Sequence, residues 1–92
     1  MNFVVKWTSS FKKDYKRAIK RHLKIEKLDE VISHLSKGLT LDEKYRDHAL
    51  SGVFEGLREC HIEPDWLLIY SIENDTLILT LTRTGTHSDL FK

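Results

Sequence analysis

Five side chains able to move protons or stabilise charge fall in three short stretches of this chain. "RECHIEPDWLLIY" sets His61 and Asp65 to either side of Pro64. "RTGTHSDLF" carries Arg83 and His87, with Phe91 four residues beyond the histidine. "KYRDHAL" adds His48. Imidazoles, a carboxylate, a guanidinium and an aromatic ring together suit cleavage of RNA by its own 2′-hydroxyl. One group removes the 2′-OH proton, another protonates the departing 5′-oxygen, and a cation stabilises the charged phosphorane. An exposed ring holds a base by stacking, typically contributing about 1–3 kcal/mol. Such chemistry needs no metal or other cofactor. A plainer reading stands beside it: Asp65 caps the turn and His61 is a solvated strand residue. The histidines count only if the fold gathers them. His22 and His34 lie in predicted helices and read as packing or surface residues.

The elements that must do the gathering follow from hydrophobic spacing. "NFVVKW" is β-branched and aromatic, a strand. Thr8, Ser9 and Ser10 are cap candidates for an amphipathic helix over residues 10–22, marked by Phe11, Tyr15, Ala18, Ile19 and His22. Ile25, Leu28, Val31, Ile32 and Leu35 mark a second helix ending near Gly38. "LTLDEKYRDHALSG" reads as a loop with at most one helical turn after Thr40. The period then drops to two. Over residues 53–63, Phe54, Cys60 and Ile62 share one face and Glu55, Glu59, His61 and Glu63 the other; Leu57 and Arg58 break the alternation. Pro64 and Asp65 form a two-residue turn that pairs Glu63 with Trp66. "LLIYSI" is apolar on both faces, a central strand, and "LILTLTRT" follows the "ENDT" turn. The order β-α-α-β-β-β implies an α+β fold: a small antiparallel sheet with an N-terminal helical hairpin on one face. Strict alternation puts Arg83 on the same face as Leu77, Leu79 and Leu81, which requires either a bulge or a position past the rim of the sheet.

Ninety-two residues, 40% apolar and 32% charged, fit one soluble domain over residues 1–92. No run of about 18 apolar residues exists to span a membrane, and "MNFVVKWTSS" has no secretion-signal pattern. The single Cys60 forms no internal disulfide, which points to a reduced, cytoplasmic setting. The net charge of +1 hides a division. Residues 1–37 hold ten Lys and Arg against four Asp and Glu, whereas residues 38–92 hold five against ten. The basic stripe, densest at Lys12, Lys13, Lys16 and Arg17, is either an ordinary solvated helix face or a surface for a polyanion.

The order and spacing of "KYRDHAL", "GLRECHIEPDWLLIY" and "RTGTHSDLF" resemble the YafQ-type toxins of the RelE/ParE superfamily over essentially the whole chain. The resemblance implies a ribosome-dependent mRNA endonuclease of a type II toxin–antitoxin system. Its partners would be the ribosome and mRNA, and a cognate antitoxin of the RelB/DinJ kind, through which alone it would meet operator DNA. By motif position the resemblance assigns the active site to His48, His61, Asp65, Arg83, His87 and Phe91. His48 or Asp65 would be general base and His87 general acid; Arg83 would stabilise the phosphate, Phe91 position a base, and His61 orient or relay. Trp66 belongs to the same motif and is assigned to packing. Lys12, Lys13, Lys16 and Arg17 would touch ribosomal RNA. The rivals are a gyrase-directed toxin of the same fold, a zinc site of His48, His61, His87 and Asp65, and a binding module without chemistry.

Overall fold

The computed structural model describes residues 2–91. Strand β1 (Val4–Trp7) leads into helix α1 (Ser9–Lys20) and helix α2 (Ile25–Ser36). Strand β2 (His48–Ala49) follows, then β3 (Arg58–Glu63), β4 (Trp66–Glu73), β5 (Ile78–Gly85) and the short helix α3 (His87–Leu90). The sheet order is β1-β5-β4-β3-β2. This is the α+β architecture read from hydrophobic spacing, with two differences in the sheet. First, β1 pairs parallel with β5, from Val4 opposite Ile78 to Trp7 opposite Leu81, so the sheet is mixed. Second, the stretch expected as a loop with at most one helical turn after Thr40 has that turn, a 3-10 turn at Glu43–Tyr45, but also the edge strand β2.

Local chemistry sets the helix ends. The Thr8 hydroxyl accepts from Phe11 N at 3.0 Å and donates to Thr82 O at 2.8 Å, capping α1 and tying it to β5. Residues 10–22 were expected to be helical; α1 stops at Lys20, because His22 takes a left-handed conformation with φ 60° that turns the chain toward α2. After α2, Gly38 with φ 75° closes the helix end, its N–H donating to Leu35 O at 3.0 Å. Phe11 and Ala18 of α1 and Leu28, Val31 and Leu35 of α2 bury against Cys60, Ile62, Trp66, Leu68, Tyr70, Leu79 and Leu81. The helices thus cover one face of the sheet.

The strand expected over residues 53–63 begins only at Arg58; Gly52–Phe54 is a 3-10 turn and Gly56 has φ 94°. The Pro64–Asp65 loop pairs Glu63 with Trp66 as expected, with an extra residue at Ile62. In β5 the register shifts: Tyr70 lies opposite Leu81, but Ile69 lies opposite Arg83. Thr82 is therefore bulged, and this settles how Arg83 leaves the Leu79–Leu81 face. The same shift returns Thr84 to the core side. There Trp66 Nε1 donates to the Thr84 hydroxyl at 3.0 Å, and the hydroxyl donates to Leu67 O at 2.6 Å. Trp66 is buried, as expected for a packing residue.

Thr84→Val keeps the shape and leaves the buried indole N–H without an acceptor, so it should cost about 1–3 kcal/mol of stability. Urea unfolding checks this. A change below about 0.5 kcal/mol, the scale of an ordinary surface substitution, would show that the Trp66–Thr84 link does not hold the β4–β5 end.

Candidate active site

Register carries the chemical residues to the face opposite the helices. His48 is paired with Glu59, Glu59 with Ile69, and Ile69 with Arg83, so these four side chains form one row across the sheet. His61, paired with Leu67, stands in the next row. Leu67 and Ile69 are buried, forming an apolar floor beneath the polar groups.

Backbone carbonyls fix two of the imidazoles. His48 Nδ1 lies 2.7 Å from Arg46 O, presented by the left-handed Arg46 (φ 49°). His61 Nδ1 lies 3.3 Å from Pro64 O. A carbonyl only accepts, so both Nδ1 atoms carry hydrogen and both Nε2 atoms are left for chemistry. Each Nε2 lies 3.6 Å from the same Glu59 oxygen, whose side chain is only 8% exposed. Alternation places Glu59 on the polar face with His61. Its burial between two imidazoles was missed because it depends on β2, which has no recognisable period.

The third imidazole is held from the hairpin tip. Asp65 Oδ1 accepts from the His87 backbone N–H at 3.0 Å and from its ring Nδ1 at 2.7 Å. These two bonds hold the Asp65 carboxyl below the ordinary carboxylate value, the backbone bond contributing most. Ring centroids run 6.4 Å from His48 to His61, 5.9 Å from His61 to His87 and 6.4 Å from His87 to Phe91. Phe54 meets Phe91 edge-to-face at 5.3 Å, an aromatic partner that the sequence reading had placed on a strand. The line of imidazoles is open at its two ends, where the His48 and His87 side chains are 49% and 55% exposed, and covered in the middle, where His61 is 14% exposed.

The remaining expected residues are distributed as follows. Arg83 joins the row by register, and its guanidinium is held by Asp14 at 2.7 Å through Nε. Lys12, Lys13 and Lys16 are exposed on α1, a helix packed on the other face of the sheet. Arg17 also lies on α1, but pairs with Asp14 at 2.7 Å and Asp89 at 3.4 Å. His22 and His34 are exposed and take no part in the row. Burial pushes the Cys60 thiol up to about 12, with Asp47 and Glu59 adding to it, so it is no nucleophile at neutral pH. Among the described residues, no group of three or more His, Cys, Asp or Glu side chains is arranged to hold a metal ion.

Known proteins share the sequence pattern and the fold. The family of bacterial toxins of type II toxin–antitoxin systems, YafQ, matches residues 3–92. The mRNA interferase toxin YafQ of Escherichia coli K12 is 40% identical over 88 residues, covering 95% of this chain and 94% of that protein. The crystal structure of the E. coli DinJ–YafQ toxin–antitoxin complex includes a chain superposing with a TM-score of 0.91 at 38% identity, covering 100% of both chains. A metal-bound toxin from Helicobacter pylori superposes with a TM-score of 0.90 at 37% identity, covering 99% of this chain and 100% of that one.

The lowered carboxyl of Asp65 fixes the sign of its pH dependence. A depressed carboxylate stabilises the folded contact above its unfolded value and loses that contribution as pH falls through the folded one. The Asp65 side-chain carbon signal should therefore titrate with a midpoint below the ordinary value of about 3.9. A midpoint at or above that value would mean that the His87 contact does not persist in solution.

Proposed function

This chain belongs to the YafQ family of bacterial type II toxin–antitoxin toxins, and on that premise we propose that it is an endoribonuclease acting on mRNA at the ribosome. The observation that carries the chemistry is the line of three neighbouring imidazoles, two with Nδ1 facing a backbone carbonyl and the third with Nδ1 on a carboxylate. His87 is the general acid, since Asp65 fixes its ring and leaves Nε2 exposed. Asp65 is the weaker candidate for general base, because its Oδ1 is engaged by His87 and that contact lowers its affinity for a proton. The base comes from the Glu59-linked pair, and His61, 5.9 Å from His87, is the nearer. A base at His61 Nε2 takes the 2′-OH proton as the 2′-oxygen bonds to phosphorus. His87 Nε2 gives its proton to the 5′-oxygen as the P–O5′ bond breaks. Glu59 orients His61 and His48, Arg83 faces the phosphate charge, and Phe91 stacks a base.

The partners follow from the same premise. An antitoxin of the DinJ kind restrains the toxin, and operator DNA is met only through it. The exposed Lys12, Lys13 and Lys16 approach ribosomal RNA, whereas Arg17 is committed to two carboxylates. No helix among the described residues is long and apolar enough to cross a membrane; action at the ribosome would put the toxin, acting as one domain, in the cytoplasm.

His87→Ala should lower cleavage of translated message about 10²–10⁴-fold and leave antitoxin binding nearly intact. Primer extension on ribosome-bound mRNA reads the first effect and calorimetry the second. Loss of both together would favour a binding module, and toxicity without any cleavage would favour the gyrase-directed branch. Acid and base must hold opposite protonation states, so the rate should peak near neutral pH and survive treatment of the toxin with a strong chelator that is removed before the ribosomes are added. The metal-bound relative makes chelation the discriminating treatment, because loss of activity there would favour the zinc site. Reversing charge at Lys12, Lys13 and Lys16 should weaken ribosome binding and flatten its salt dependence. An unchanged salt slope would remove this helix from the ribosome contact.

A further inference from the structure

Helix α3 presents His87 and leads to Phe91, yet none of its four residues is buried. A single helical turn does not hold itself together in water, so its fixing must come from outside. Asp65 provides one attachment at His87. A second is the capping box, in which the Thr86 hydroxyl accepts from Asp89 N at 3.1 Å and Asp89 Oδ2 accepts from Thr86 N at 3.0 Å. The third runs to α1. Asp89 Oδ2 lies 2.7 Å from Arg21 Nη1, and Asp89 Oδ1 lies 3.4 Å from Arg21 Nη2 and 3.4 Å from Arg17 Nη1.

Arg17 continues the line. Its Nη2 reaches Asp14 Oδ1 at 2.7 Å. The Asp14 side chain is 1% exposed, and it also receives Arg83 Nε at 2.7 Å, Arg83 Nη2 at 3.3 Å and Thr84 N at 3.1 Å. Alternating charges therefore run from Arg21 through Asp89, Arg17 and Asp14 to Arg83. Gly85 makes room for this chain: a Cβ there would lie 2.9 Å from Asp89 Oδ2 and 3.0 Å from Asp89 Cβ. Only a residue without a side chain lets Asp89 fold back onto both Thr86 and α1.

We propose that Asp89, braced by Arg21 and Arg17, is a positioning residue for His87 and Phe91, and that Asp14 plays the same part for Arg83. The proposal rests on the nuclease reading above and adds that the basic helix has two separate duties. Lys12, Lys13 and Lys16 face outward, while Arg17 and Arg21 act inward as a brace on the catalytic turn. Neither carboxylate touches the reacting atoms. Both set where those atoms sit, and a misplacement of about 1 Å can cost roughly 10²-fold in rate.

The test compares Asp89→Asn, Arg21→Glu and Arg21→Lys in the full chain. Asp89→Asn keeps a capping acceptor and removes the charge. Asp14→Asn is left aside because a buried carboxylate with this many donors is too close to the core for a folded variant to be assumed. On ribosome-bound message, Asp89→Asn and Arg21→Glu should each lower kcat about tenfold or more with KM within about twofold, and Arg21→Lys should recover most of the loss. Amide exchange should show lost protection at His87, Leu90 and Phe91, with Leu68 and Tyr70 unchanged. Unchanged α3 protection, a rise in KM with kcat kept, or equal loss of protection at Leu68 would each overturn the proposal. Amide exchange needs no substrate. If the wild-type chain cleaves no message, the nuclease reading falls alone and α3 protection still decides the brace.

Discussion

The chemistry of this molecule hangs on strand register. A strand alternates faces with a period of two, so a slip of one residue moves every side chain to the other side. His48, Glu59, Ile69 and Arg83 share a row only because β2, β3, β4 and β5 pair as they do. The extra residue at Thr82 is the decisive adjustment. Upstream of it, Leu79 and Leu81 point into the core; downstream, Thr84 returns to the core and Arg83 takes the opposite register position, its guanidinium held by Asp14 of α1. One bulge lets a single strand be a packing element along most of its length and a source of charge at its end.

Hydrogen bonding then converts placement into usable chemistry. His48, His61 and His87 each have Nδ1 facing an acceptor, Arg46 O, Pro64 O and Asp65 Oδ1 in turn, and therefore offer Nε2. Glu59 adds order of another kind. It faces two Nε2 atoms at the same 3.6 Å, so a second proton, gained at either Nε2, lies toward one carboxylate. The strand beneath His48 is only two residues long and needs its own anchor. Asp47 supplies it by receiving Arg58 Nη2 at 3.0 Å and the buried hydroxyl of Tyr70. Desolvation, followed by the Asp47 bond and charge, raises the Tyr70 hydroxyl far above its ordinary value, which suits a permanent donor to Asp47.

Much of this was legible where periodicity is strong. Phe11, Ala18, Leu28, Val31 and Leu35 marked the two helices, and Pro64–Asp65 marked the turn together with its Glu63–Trp66 pairing. The β-branched start of the chain announced a strand but not its partner. Parallel pairing with β5 follows from α1 and α2 carrying the chain across one face, which no local pattern records. The edge strand at His48 was illegible for a related reason: two residues have no period, and their pairing with β3 is a tertiary fact. Glu59 and Asp14 stood among many charged residues, and only folding shows which carboxylates lose their water. Arg83 is the intermediate case. Its conflict with the leucine face was visible and demanded an irregularity, and the register shift supplies it.

The openness of the imidazole line at its ends bears on how such a site can act. His48 and His87 are about half exposed, and of the three imidazoles the two grooves beside the Pro64 tip take in only His61. One, of about 460 Å³, is bordered by Arg46, His61 and Pro64; the other, of about 410 Å³, by Arg21, Asp65 and Thr86. An enclosed active site holds its substrate by surrounding it, and this face has no wall to do so. In-line attack nevertheless requires the 2′-oxygen, phosphorus and 5′-oxygen to be aligned within a few tenths of an ångström, and fixed orientation is worth several powers of ten in rate. A body that already grips the message must supply the missing alignment, with the toxin adding only groups that transfer protons and balance charge. On the reading proposed here that body is the ribosome. On that reading geometry favours message already held in place over free RNA, whatever affinity Phe91 and Arg83 add.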